Sequence, residues 1–344
     1  MRTSGGGRGR ARGRGAVRRR GGTPRKKAVR RGGGRAKPIG SALLVDIGNT
    51  RIKWARLQDG RLGRQFAEPF AGWKARDFAQ RVFGLPASGG GSASGRRAGR
   101  SSRAGRARAG GDIDRVIVSS VAGSRVNEVF TDAARHAHGP KPEFVTSQRQ
   151  AGGVSTAYVE PWRLGVDRFV MAIGAHRLAK GRAACVISIG TALTIDLVDA
   201  RGRHRGGAIV PAPPLMVDSL LTRTVGIRRR AGGVDGSASS GSSGEGVGGD
   251  GQGGGARGSS RSIFARTTRE AIEEGALLAA AAAVDRGIEE ARRAVGHSPV
   301  VLLTGGGAGS VAPLIQRPYW SVPDLVLQGL AVLANEGRPP SRES

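Results

Sequence analysis

Hydrophobic positions first gather at residues 42–45, where Ala42, Leu43, Leu44 and Val45 run into Asp46 and Ile47, a short apolar run that predicts a buried strand. Gly48, Asn49 and Thr50 supply a polar turn, and Ile52, Trp54 and Leu57 place a second strand after it, so the segment reads as a β-hairpin with a polar tip. Residues 73–83 have helical spacing, and residues 116–121 form another buried strand followed by a helix. The second half opens with a helix over 165–178. A strand over 185–188, a turn at Gly190 and Thr191 and a strand over 193–198 then repeat the strand, glycine turn, strand pattern seen at Asp46. An Ala-rich helix over 265–295, a strand from Val300 ending in a third glycine turn at 305–307, and a closing helix over 325–334 complete the pattern. It predicts an α/β protein with two similar domains, 41–157 and 158–338, and a cleft between them in which a ligand binds.

Composition changes this picture at the edges. The 344 residues carry a net charge of +30, which taken alone points to nucleic acid or an anionic membrane surface. Residues 1–40, however, hold 15 basic and no acidic side chains, the Gly/Ser/Arg stretch 84–111 holds 6 and none, and 228–262 holds 5 and 3. The remaining chain has 30 basic against 23 acidic residues, so the folded body is only mildly basic. The Arg/Gly-rich start has too little apolar area to offset chain entropy and is expected to be a disordered tail, with a short tail again at 339–344. The stretches 84–111 and 228–262 are expected to be low-complexity insertions. The tail 1–40 reads first as a solvated extension; the alternative is a flexible Arg-rich arm on phosphates, the one route by which a nucleic acid would be a partner. A single cysteine, Cys185, lies in an apolar run and reads as a core residue in a reducing compartment. With no apolar run approaching the ~20 residues of a membrane span, no membrane partner and a cytoplasmic location are expected.

The glycine turns are the first candidate chemistry, because such turns at strand ends aim backbone N–H groups at phosphate oxygens. Asp46 suits a Mg2+ ion held through water, and equally suits a turn cap. Gly165, Val166, Asp167 and Arg168 offer a proton acceptor and positive charge, the needs of phosphoryl transfer, though Asp-Arg at a helix start also suits a cap with a surface ion pair.

Taken together and in order, the blocks resemble the type III pantothenate kinases, a family that includes the Bvg accessory factor proteins. They are Asp46 to Lys53, Tyr158 to Pro161 with Gly165 to Arg168, Gly190 to Asp196, Gly206 to Pro211, and Thr268 to Ile272 with Gly275. The resemblance covers 41–335. It implies an actin-like ATPase fold, a homodimer, and transfer of the γ-phosphate of ATP to pantothenate, giving 4′-phosphopantothenate on the way to coenzyme A. Mg2+ and a monovalent cation, potassium or ammonium, come with it. It further implies that Asp46, Ile47, Gly48, Asn49, Thr50, Arg51, Ile52, Lys53 and Thr191 contact ATP. Tyr158, Gly165, Val166, Asp167, Arg168 and Thr268 contact pantothenate, with Asp167 as proton acceptor and Arg168 on the substrate carboxylate.

Two positions depart from the pattern. Ser188 stands where the family usually has the Asp expected to ligate the monovalent cation, and a hydroxyl brings no charge, so cation dependence should weaken. Ala212 stands where a Gly is typical, which removes no chemical group. The loop Thr304 to Gly307 fits the adenosine side, and equally suits a strand-to-helix glycine loop of purely structural kind. A second reading keeps the fold but makes the chain a regulatory, accessory-factor-like protein with a nucleic-acid-binding tail; intact Asp46, Asp167, Arg168 and Thr191 favour the enzyme.

Overall fold

A computed structural model describes residues 40–85, 113–232 and 263–336. The expected tail 1–40 and end tail 339–344 therefore lie outside the described residues except for Gly40, as do 86–111 and 233–262 of the two expected insertions. The described part of the latter stretch, 228–232, includes the end of a helix.

The first half is built from β1 (Ser41–Ile47), β2 (Arg51–Gln58), β3 (Arg61–Leu62), β4 (Phe66–Pro69), α1 (Ala75–Arg81), β5 (Arg115–Ser120), α2 (Ser124–His136) and β6 (Pro142–Phe144). There follow β7 (Gln150–Ala151), β8 (Val154–Thr156), α3 (Val166–Ala179), β9 (Ala184–Ile189), β10 (Ala192–Val198), β11 (Arg203–Pro211), α4 (Pro213–Arg223) and α5 (Val225–Arg230). The chain continues with α6 (Thr268–Val295), β12 (Val300–Thr304), α7 (Ala308–Val311), β13 (Trp320–Ser321) and α8 (Leu325–Asn335).

Among the described residues these strands make two sheets, β3-β2-β1-β5-β6 with β4 beside β2, and β13-β12-β9-β10-β11-β8-β7. Each has the same centre. β1 pairs antiparallel with β2 and parallel with β5, and β9 pairs antiparallel with β10 and parallel with β12. The duplication expected from the two hairpins is thus present in the strand pairing. β7 and β8 precede residue 158 but belong to the second sheet, and β11, unforeseen as a strand, is the longest in it. Its buried residues are too few to give an apolar period.

Alternation along the central strands assigns each face. Ala42 and Leu44 of β1 pack with Ala184 and Val186 of β9 around α3 and α8, which form one layer between the sheets. Leu43, Val45 and Ile47 face the opposite way with Phe78 and Phe130 of α1 and α2, while Cys185, Ile187 and Ile189 face Ala280, Val284 and Ile288 of α6. Cys185 is therefore core, as expected, and burial pushes its thiol up to about 12. Two glycines let α3 and α8 approach: a Cβ on Gly174 would lie 2.6 Å from the Leu325 carbonyl, and one on Gly329 2.0 Å from that of Val170. α6 starts at Thr268, three residues later than its Ala-rich pattern suggests, because Thr267 caps it by accepting the Glu270 N–H at 3.2 Å. No helix among the described residues is long and apolar enough to cross a membrane.

Candidate active site between the two sheets

The alternation that sends Ala42 and Leu44 towards α3 sends Asp46 the same way, at the strand end where the sheet meets the start of that helix. In register with Asp46 stand Lys53 on β2 and Ser119 on β5. Burial pushes the Asp46 carboxyl up to about 7; Lys53 and the Ser119 hydroxyl oppose the rise, and the nearby Asp167 carboxylate adds to it. The second sheet repeats this row with neutral groups, Ser188 lying in register with Thr194 and Thr304. Thr194 Oγ1 is buried and has no hydrogen-bond partner among the described residues.

Asp167 sits in the first turn of α3 after Gly165, whose carbonyl accepts the Phe169 N–H at 3.0 Å. Its Oδ1 accepts the Arg168 backbone N–H at 2.8 Å. A Cβ on Gly165 would come within 2.7 Å of that same Oδ1, so glycine leaves room for the carboxylate. Burial raises the Asp167 carboxyl above its ordinary range, Asp196 adds to this, and the Arg168 N–H and charge work against it. Val166, by contrast, packs against the core between the sheets.

Arg168 is buried, and its guanidinium already has internal partners. Nε donates to Asp196 Oδ2 at 3.0 Å, Nη2 to Asp196 Oδ1 at 2.6 Å and Nη1 to the Tyr158 hydroxyl at 3.1 Å. The sequence expectation gave this fork to a substrate carboxylate. The fold gives two of its prongs to Asp196, a planar bidentate pairing that a guanidinium forms well. His204 completes the group with Nε2 at 2.8 Å from Asp196 Oδ1 and its ring tilted against that of Tyr158 at 6.0 Å.

The three glycine turns converge. Gly48 donates to the Arg51 carbonyl at 3.0 Å and Gly190 to that of Ala192 at 2.9 Å, closing the two hairpin tips. Gly305, at φ +100°, passes so near Ile189 that a Cβ would fall 2.2 Å from its carbonyl oxygen, and Gly307 donates to that oxygen at 2.8 Å. A Cβ on Gly306 would be 3.9 Å from Arg51 Cδ, which places the third turn beside the first. Asn49, Thr50, Arg51 and Thr191 are exposed at the tips, whereas the side chains of Ile47 and Ile52 are fully buried and leave only their backbone for a ligand. Lys53 Nζ donates to the Pro323 carbonyl at 3.4 Å.

Thr268 is not brought into this group: it begins α6, and no hydrogen bond joins it to Tyr158, Asp167 or Arg168 among the described residues. Sequence reasoning passed over Asp196, His204, Gly207 and Ser119. Asp196 lay within a quoted block, but nothing in a spacing of 28 residues marks it as the partner of Arg168.

A profile of type III pantothenate kinases matches residues 42–290, from the first strand through most of α6. The chain belongs to the type III pantothenate kinase family. It is accordingly a pantothenate kinase, an ATP-dependent phosphotransferase with the actin-like fold of that group, and its duplicated sheets fit that fold. It is similar to the type III pantothenate kinase of Nitrosococcus oceani, at 31% identity over 88% of this chain and 97% of the relative. That of Herminiimonas arsenicoxydans is 34% identical over 85% and 96%. Among solved structures, component A of (R)-2-hydroxyglutaryl-CoA dehydratase from Acidaminococcus fermentans overlaps 86% of this chain and 97% of its own, at a TM-score of 0.42 and 12% identity.

Proposed function

We propose that this pantothenate kinase holds ATP at the converging glycine turns and takes the proton of the pantothenate hydroxyl on Asp167. The observation supporting the assignment is the Asp167 carboxylate in the first turn of α3, held by the Arg168 N–H at 2.8 Å and close enough to Asp46 at the end of β1 to add to the rise of its carboxyl, with Asn49, Thr50 and Thr191 exposed at the turns. The residues at 46–53 and Thr191 contact the phosphates, Asn49, Thr50 and Thr191 through exposed groups and Ile47 and Ile52 through backbone. A primary alcohol is hardly ionised near neutrality, so Asp167 aligns it and accepts its proton as the bond to phosphorus forms. Tyr158, Gly165, Val166, Arg168 and Thr268 form the pantothenate side. Arg168 supports this side from behind, its guanidinium held by Asp196 and the Tyr158 hydroxyl, and the Thr268 assignment rests on the family pattern alone.

Among the described residues no cluster of three or more His, Cys, Asp or Glu side chains is placed to hold a metal. Asp46 suits the looser mode of Mg2+, one carboxylate with waters and phosphate oxygens, because a carboxylate whose ionisation is opposed by burial gains most from a cation. When bound there, Mg2+ offsets charge on the transferring phosphoryl group. Ser188, with Thr194 and Thr304 in register beside it, supplies neutral oxygens where the monovalent cation is expected, so dependence on potassium or ammonium is weak.

The two sheets are the cores of two domains. Val159, Trp162 and Phe264 expose 87%, 66% and 83% of their surfaces, and the first two follow Tyr158 within four residues, which supports a homodimer covering them. The single buried cysteine fits the cytoplasm. Any nucleic acid binds through residues 1–40. Coupled ATP turnover on pantothenate tests the reading. Asp167→Asn should lower kcat by about 10²–10⁴ with little change in KM for ATP, and undiminished turnover would refute Asp167 as the base.

A further inference from the structure

The buried group at the start of α3 is larger than the pantothenate contacts require. Asp196 is 1% exposed and the His204 side chain 0%, so neither reaches a ligand directly. Yet both touch residues that do. Asp196 holds two prongs of Arg168, Arg168 donates its third to the Tyr158 hydroxyl, and the Arg168 backbone N–H binds the Asp167 carboxylate. His204 binds the Asp196 oxygen that also takes Arg168 Nη2. A carboxylate can only accept there, so His204 Nε2 carries the proton, and its Nδ1 is buried without a partner among the described residues.

The backbone has been shaped around this group. Gly207 lies opposite Asp196 across β10 and β11, and its φ is not in the left-handed region. Glycine is needed for space alone, because a Cβ would lie 2.4 Å from both Asp196 Oδ1 and the Ile195 carbonyl oxygen and 2.7 Å from Arg168 Nη2. The gap leaves room for the Asp196–Arg168 pair, and Arg168 in turn contacts both Asp167, through its backbone N–H, and the Tyr158 hydroxyl.

We propose that Asp196 and His204 are positioning residues for phosphoryl transfer, setting through Arg168 the places of the Asp167 carboxylate and the Tyr158 hydroxyl. The inference rests on the reading of Asp167 as proton acceptor. His204 acts at two removes: its N–H fixes one Asp196 oxygen, so the carboxylate cannot rotate and carry Arg168 with it. Buried Arg168, with its charge balanced by Asp196, then serves mainly as a strut.

The test uses the full chain with His204→Phe, which removes the donor, His204→Asn, whose amide stops short of the place of Nε2, and His204→Gln, whose amide nitrogen reaches it. In the Asn and Phe variants kcat should fall roughly 10- to 100-fold, the scale of small misplacements of a reacting group, with KM for ATP within about twofold of the parent. His204→Gln should recover most of the loss. Having two withdrawing variants keeps the comparison if one does not fold. Unchanged kcat in a folded Asn or Phe variant, equal loss in Gln, or a parallel rise in KM for ATP would overturn the proposal and leave His204 as packing only. Asp167→Asn separates the two readings. Full turnover in it removes the base and the proposal together, while a dead Asp167→Asn beside unaffected His204 variants removes the positioning role alone.

Discussion

Asp46 and Ser188 occupy the same place in two copies of one hairpin. Each precedes Ile-Gly at the end of a central strand, and each is in register with a hydroxyl residue on the parallel neighbour, Ser119 for Asp46 and Thr304 for Ser188. Across the antiparallel neighbour Asp46 faces Lys53 and Ser188 faces Thr194. One row carries Asp and Lys and the other only hydroxyl residues, even though the backbone pairing is repeated.

Adding a carboxylate to the neutral row should change that. Ser188→Asp is expected to make pantothenate-dependent turnover respond to potassium or ammonium. Its half-saturating cation concentration should fall about tenfold relative to the parent, the equivalent of ~1.4 kcal/mol of charge interaction. Turnover measured against cation concentration decides it; identical curves would mean that position 188 does not face the cation.

The charged row carries a pH signature. The Asp46 carboxyl is raised from 3.8 to about 7 by burial. The native state therefore keeps a proton that the unfolded chain releases, and its contribution to stability is fully present below about pH 4, lost progressively up to about pH 7 and flat above. Asp46→Asn removes this loss. The variant should gain in urea midpoint relative to the parent at pH 8 and gain little at pH 4. A difference that does not grow between those values would show Asp46 ionising normally.

Removing one partner of the buried ion pair strands the other. Asp196→Ala should cost about 3–5 kcal/mol, because Arg168 is left charged and buried. Replacing both, with Arg168→Met and Asp196→Leu, should recover most of that stability and none of the activity. Denaturant unfolding of the three chains measures it, and a double variant no more stable than Asp196→Ala would argue against charge burial as the cause.

Gly329→Ala probes the helix layer. Its Cβ would meet the Val170 carbonyl oxygen at 2.0 Å, a backbone atom with no freedom to turn aside. Separating α3 from α8 should cost roughly 1–3 kcal/mol and lower the melting temperature. It should also lower kcat, since α3 carries Asp167 and Arg168. Calorimetry alongside turnover would reveal the two effects together.

Much of this protein follows from the chain alone. The two hairpins, the buried strands at Val116 and Val300, the helix after Gly165 and the closing helix are visible because each is a local pattern, an apolar run or a 3.6-residue period ended by glycine. Asp46, Asp167 and the glycine turns are visible for the same reason, as short blocks whose chemistry is carried by neighbours in sequence. Strand β11 is not, because its half-exposed alternation is interrupted by Gly206 and Gly207. Nor are the partners of Arg168. A residue at a helix start and another 28 positions later on β10 share no local period, and only the stacking of α3 against the second sheet turns a potential substrate ligand into one half of a buried ion pair. The space emptied at Gly207 follows from the same packing, because what a missing side chain makes room for is set by the strand across from it.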